Sequence, residues 1–159
     1  MSIYNHLRPE LEGDNYGVLN EEEIARVEAR CDTELPEDYK SFLRKFGLCY
    51  APSSGQLTIT DTQLQALDAK DGVVPIYQFE GFSIKKGRNT ILAAVTNIYS
   101  DEKVAALPIA NDGVGGIFYL GLVGVLKNRI IFMFPGYDLQ PIIANSFTEF
   151  MEKVKFEAD

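Results

Sequence analysis

Apolar positions along the chain recur first at threes and fours, then at twos, then at threes and fours again, and these changes of spacing mark out its elements. Asn20-Glu21-Glu22-Glu23 puts a capping side chain and three carboxylates ahead of Ile24, Val27 and Cys31, which share one helical face. Asn20 is the expected N-cap and Glu23 sits at the capping-box position, because the free N–H groups of a first turn attract oxygen and negative charge. A second helix is predicted from Pro36, whose fixed φ suits a first helical position. Tyr39, Phe42, Leu43 and Phe46 form its buried face, Asp38, Lys40, Ser41, Arg44 and Lys45 its polar one, and Gly47 its stop. An aromatic stripe at this spacing is assigned to packing.

Alternation takes over at Gln56-Leu57-Thr58-Ile59-Thr60, as in a half-buried strand. Residues 73–82 form a second strand region, and Pro75, which has no N–H to give a ladder, puts it at an edge or at its own start. Helical spacing returns at Ile91, Leu92, Val95, Ile98 and Tyr99, with Asn89 as cap. Residues 104–110, 117–122 and 129–134 read as three strands. The unbroken apolar run Ile130-Ile131-Phe132-Met133-Phe134 suits a central strand covered on both faces, ended by Pro135-Gly136. Ser146 with Glu149 opens a last helix that carries Phe147, Phe150, Met151 and Val154 on one side. The order gives an α+β domain over 1–159: a mostly antiparallel sheet packed against N-terminal helices, an inserted helix and a C-terminal helix.

Composition sharpens this only in places. With 159 residues, 46% of them hydrophobic and 24% charged, the chain suits one domain able to bury a core without staples. The longest uncharged apolar run, Gly113 to Leu126, is broken by glycines and stops at Lys127, short of the roughly 20 residues of a spanning helix. Met1 to His6 shows no secretory pattern, so the expected location is cytoplasmic. Charge is more informative: the net −8 (15 − 23) lies wholly in residues 1–80 (7 − 15 = −8), since residues 81–159 balance (8 − 8 = 0). Glu10 to Asp38 alone holds eleven carboxylates against Arg26 and Arg30. Such a field repels phosphate backbones and excludes direct nucleic-acid binding, while it draws in basic partners. Its plainest role is as a solvated acidic face.

Candidate chemistry is sparse. His6 is the single histidine, and Cys31 and Cys49 have no metal or redox spacing, so both read as reduced, partly buried small hydrophobes. Asn111-Asp112-Gly113-Val114-Gly115-Gly116 is glycine-rich, but no Gly-Lys-Ser/Thr follows and Phe118 occupies the third glycine position of a dinucleotide fingerprint. It reads as a tight turn between strands. Asp112 with Asp138 or Asp61 could gather a hard cation only if the fold joined them, and no metal or cofactor is assigned.

The pieces in this order resemble the SUKH superfamily, α+β domains that include bacterial immunity proteins and a fungal regulator of cell-wall synthesis. The resemblance covers about 20–155. Leu35-Pro36-Glu37-Asp38-Tyr39-Lys40-Ser41-Phe42-Leu43, ending near Gly47, is similar to the family's early helix. Asn111, Asp112, Gly113 and Gly116, followed by Phe118-Tyr119-Leu120, are similar to its central turn and strand, and Ser146-Phe147-Thr148-Glu149-Phe150 to its closing helix. The chain departs from the family where members often carry a Trp and an acid before the last helix, having Phe132-Met133-Phe134. It departs again after Gly116, where an acid is common and Ile117 stands. The resemblance implies a non-enzymatic immunity protein that binds and blocks a toxin domain, a nuclease or other nucleic-acid-modifying enzyme, with a basic toxin domain encoded nearby as partner. A general interaction or regulatory module on the same fold is the alternative, and a small-molecule-binding enzyme a more distant one. Glu80, Asp112, Tyr137 and Asp138 are the candidate contact residues, chosen as carboxylates and aromatics expected at the surface.

Overall fold

The computed structural model describes residue 7 and residues 20–46, 49–50, 55–67, 69–79, 106–137 and 140–159, with backbone alone at 49–50. The helix expected from Asn89, together with His6, Gly47, Glu80 and Asp138, lies outside the described residues. Helix α1 (Glu21–Cys31) begins where its cap requires: Asn20 Oδ1 accepts the Glu23 N–H at 2.9 Å, and Ile24, Val27 and Cys31 are buried. Helix α2 (Glu37–Lys45) starts one residue later than its sequence predicts. Pro36 is the N-cap, with extended ψ of 143°, and its carbonyl accepts the Lys40 N–H.

Among the described residues nine strands form two sheets, and every pairing is antiparallel. The larger runs β1 (Cys49–Tyr50), β4 (Gln78–Phe79), β5 (Ala106–Asn111), β6 (Ile117–Gly121), β7 (Ile130–Met133) and β8 (Ile142–Ala144), in that spatial order. The smaller places β2 (Gly55–Thr60) between β3 (Val73–Ile76) and β9 (Val154–Ala158). The region 73–82 is therefore two strands in two sheets, and the chain crosses between them at Tyr77. Pro75 lies on the edge strand β3, as its missing N–H demands. Pro108 sits in the interior strand β5, and the register shifts directly after it, a bulge that accommodates a residue unable to donate.

Three expectations are corrected. β2 alternates as its sequence predicts except at Thr58, which is buried on the otherwise exposed face, between its cross-strand neighbours Pro75 and Lys155. β7 is interior and its first three residues are buried, but Met133 is exposed, so the run is covered on both faces only up to Phe132. Val154 belongs to no helix. Helix α3 (Phe147–Lys153) ends there and the chain passes straight into β9.

Helices and large sheet are joined by rings. Phe42 on α2 lies 5.2 Å from Phe46, from Phe79 of β4 and from Phe147 of α3. Phe147 is 6.0 Å from Phe150, Phe150 is 5.4 Å from Phe118 of β6, and Phe118 is 4.7 Å from Phe132 of β7. All are essentially inaccessible to solvent. Tilted and edge-on pairs of this kind add to the apolar area each ring removes from water.

Polar groups brace the same helices. Asp38 does not simply point to solvent: its Oδ2 accepts both the N–H and the hydroxyl of Thr148 at 2.9 Å, capping α3 from the start of α2. Lys40 is also inside the structure, its ammonium facing Glu34 at 3.2 Å, Glu37 at 3.6 Å and Glu28 at 3.7 Å. Burial opposes its charge, but the hydrogen bond to Glu34 and the fields of the three carboxylates outweigh that and raise its pKa. Arg44 bridges Glu21 and Glu37 at 2.6 Å each. That hydrogen bond is the main reason the Glu37 carboxyl lies below its ordinary value.

Phe42→Ala is expected to cost about 3–5 kcal/mol in denaturant unfolding, and a neutral result would remove α2 from the centre of the core. Because Glu37 titrates lower when folded than when unfolded, its contribution is complete above the ordinary carboxylate range and disappears as pH falls through the lowered value. Glu37→Gln should accordingly melt below the parent at pH 7, with the difference closing in acid. An equal difference at both ends of the titration would show that the Arg44 contact adds nothing through charge.

Candidate functional site

The Asn111–Gly116 turn joins β5 to β6, and its backbone requirements explain its sequence. Gly113 and Gly115 have φ of +82° and +112°, which side chains resist. Asn111 Oδ1 accepts the Gly113 N–H at 3.0 Å, while Asp112 Oδ1 accepts those of Val114 and Gly116 at 2.9 and 2.8 Å. Asp112 is only 7% exposed. A Cβ at 116 would overlap both the Asp112 carboxylate and the Phe132 ring, so the end of the ring series rests directly against the turn. The N–H groups of Asp112, Gly113, Val114 and Gly116 are thus occupied from within the turn, which is a scaffold's arrangement more than a phosphate cradle's.

Around it the chain presents side chains outward. Tyr77, at the crossing between sheets, donates its N–H to the Asn111 carbonyl at 2.9 Å and is 54% exposed. Val114 at the tip of the turn is 74% exposed, Met133 37% and Tyr137 36%. Phe134-Pro135-Gly136-Tyr137 is a turn closed by the Tyr137 N–H on the Phe134 carbonyl at 3.3 Å. Gly136 supplies φ of +88°, and the Tyr137 ring stands edge-on to Phe134 at 5.9 Å.

These two aromatic residues form a ridge between two depressions of about 310 Å³ each. One lies between the sheets, with Leu67, Val74, Phe132 and Asp112 in its wall. The other is floored by Ile117, Tyr119 and Met133 and bounded by Gly115 and Pro135. Ile117 and Met133 are cross-strand partners. The two places where the sequence departs from the pattern it resembles are therefore one place in space, and it is apolar.

Of the four expected contact residues, Asp112 and Tyr137 come together in the wall of the first depression, Asp112 through the buried side chain that also ties its own turn. Glu80 and Asp138 lie outside the described residues. Tyr77, Val114 and Met133, which are exposed beside Asp112 and Tyr137, were not among the expected residues. Val114 could have been found as the one apolar side chain in a turn of Asn, Asp and Gly, but Met133 could not, because in a run of five apolar residues alternation marks neither face. Asp61 and Asp112 do not form a cation site: Asp61 pairs with Lys153 at 2.7 Å, and no group of three metal-ligating residues occurs among the described residues. Burial pushes the Cys31 thiol up to about 11, Glu28 adding to the shift and the charge of Arg30 opposing it, so at neutral pH it stays protonated. No helix among the described residues is long and apolar enough to cross a membrane.

Gly116→Ala should lower stability by about 1–3 kcal/mol through overpacking against Asp112 and Phe132. A thermal melt coincident with the parent's would mean that the turn and the ring series are not coupled. A family model described as SMI1 / KNR4 family (SUKH-1) matches residues 19–153. No curated protein matches the chain.

Proposed function

The chain belongs to the SMI1 / KNR4 family (SUKH-1), and from that premise we propose that it is a non-enzymatic immunity protein that neutralises a toxin domain by binding over its active site. The observation that supports this reading is the apolar and aromatic surface of Tyr77, Val114, Met133 and Tyr137, gathered around a turn that Asn111 and Asp112 hydrogen-bond from within. A platform braced in this way, bearing aromatics and Met, suits the core of a protein interface, where little side-chain freedom remains to be lost on binding. The buried Asp112 contributes by holding Val114 in place, and Tyr137 by direct contact; Glu80 and Asp138 extend the same proposal.

The acidity of residues 1–80 supplies the second element. Arg44, Lys40 and Arg26 internally pair Glu21, Glu22, Glu28, Glu34 and Glu37, yet the half-chain keeps its net −8 and so a long-range field. The reading is of a basic partner drawn in by that field and gripped by the apolar surface, in the cytoplasm where such a toxin acts. A nuclease or other nucleic-acid-modifying enzyme has a cleft of the required sign. The apolar character at Ile117 and Met133 points to a toxin whose contact surface there is apolar as well.

The test is coexpression with the product of the adjacent reading frame, followed by binding of the purified pair. Cells should survive only with both genes. Tyr137→Ala or Val114→Asp should weaken the complex about 30-fold, the scale of one interface anchor, and Val114→Asp should do so without moving the melting temperature. Association should slow as salt rises. Absence of protection, with no complex formed, would leave the general interaction module as the better reading; an association rate indifferent to salt would remove the steering role.

A further inference from the structure

β9 is an edge. It pairs with β2 on one side, in the register Gly55↔Ala158, Leu57↔Phe156 and Ile59↔Val154, and among the described residues nothing pairs with its other side. An open strand edge offers backbone donors and acceptors to whatever extended chain fits them. Two features make this edge particular. Phe156 is half-buried with its ring lying over Gly55, where a Cβ would meet it, so the centre of the strand is anchored on β2. Lys155 and Glu157 flank it, both exposed, and among the described residues neither forms an ion pair.

We propose that β9 is a self-complementary edge through which two copies of this chain pair about a two-fold axis at Phe156, joining their small sheets into one of six strands. In an antiparallel pair, directly opposite residues share a face. An axis at Phe156 sets Lys155 of each copy against Glu157 of the other, and Val154 against Ala158. Moving the axis to Lys155 or to Glu157 sets like charges face to face. An axis between residues would put the covered face of one sheet beside the exposed face of the other. The sequence Val-Lys-Phe-Glu-Ala thus favours one register, and its two otherwise unpaired charges become two ion pairs. The contact is isologous, so it closes at two copies and does not propagate. A five-residue edge is smaller than the interfaces of stable dimers, so association belongs at high protein concentration. It leaves the Tyr77–Tyr137 surface unused and does not depend on any toxin.

Sedimentation equilibrium on the full chain, from about 10 μM to about 1 mM at low salt, tests this in the range where so small an interface should assemble. The parent should dimerise, and Lys155→Glu or Glu157→Lys should each weaken the dimer about tenfold or more by opposing like charges. The double variant, Lys155→Glu with Glu157→Lys, should restore it. An equimolar mixture of the two single variants should form a heterodimer although neither pairs with itself, a result that altered folding would not produce. A parent that stays monomeric to 1 mM overturns the proposal and leaves the edge to another protein's strand or to solvent. A dimer indifferent to Lys155→Glu, or one not restored by the exchange, overturns the register and the edge with it.

Discussion

The ring contacts that run from Phe46 through Phe42, Phe147, Phe150 and Phe118 to Phe132 are what the other parts of this molecule lean on. They join two helices to two adjacent strands of the large sheet. Because interiors are close-packed, rings held edge-on by neighbours on several elements have few other arrangements open to them. The series ends against Gly116, so the turn at the surface inherits its position from packing that runs back through the core. Asp38 reinforces the far end, holding Thr148 from α2 alongside the edge-on contact of Tyr39 with Phe147 at 4.9 Å.

The helix hairpin shows how an acidic sequence is reconciled with a compact fold. Eleven carboxylates between Glu10 and Asp38 look, on paper, like mutual repulsion. Lys40 and Arg44 gather four of them, Glu21, Glu28, Glu34 and Glu37, and Asp38 is taken up as a helix cap. Local repulsion is reduced while the net charge, which acts at longer range, remains.

Much of the architecture was legible because it rests on local rules. Asn20 and Ser146 cap helices through their own first turns, and the Asn111–Gly116 turn is dictated by Asn, Asp and Gly within six residues. The misreadings fall where a distant partner decides. Thr58 is buried because β3 and β9 flank it, and Lys40 is inside because three carboxylates converge on it from α1, the following loop and the start of α2. Val154 continues the apolar face of α3, yet Val154, Phe156 and Ala158 also alternate with Lys155 and Glu157, and pairing with β2 decides between the two periods. The candidate surface was half legible: the turn and Tyr137 were visible, but Tyr77 is brought beside them by the crossing between sheets, and Met133 by the pairing of β7 with β6.

The pairing of β2 with β9 bears on how the chain reaches this state. β2 lies early in the sequence and its covering strand is the last element of the described chain. During synthesis Leu57 and Ile59 must therefore wait, with one flank of β2 bare, until residues 61–153 and then β9 itself have been made. Contacts so distant along the chain form late and slowly, since loop closure precedes any gain from the pairing. A nascent chain lacking β9 would offer β2 as an open apolar template, which makes the hours of high expression, more than the folded state, the period in which this protein is exposed to aggregation.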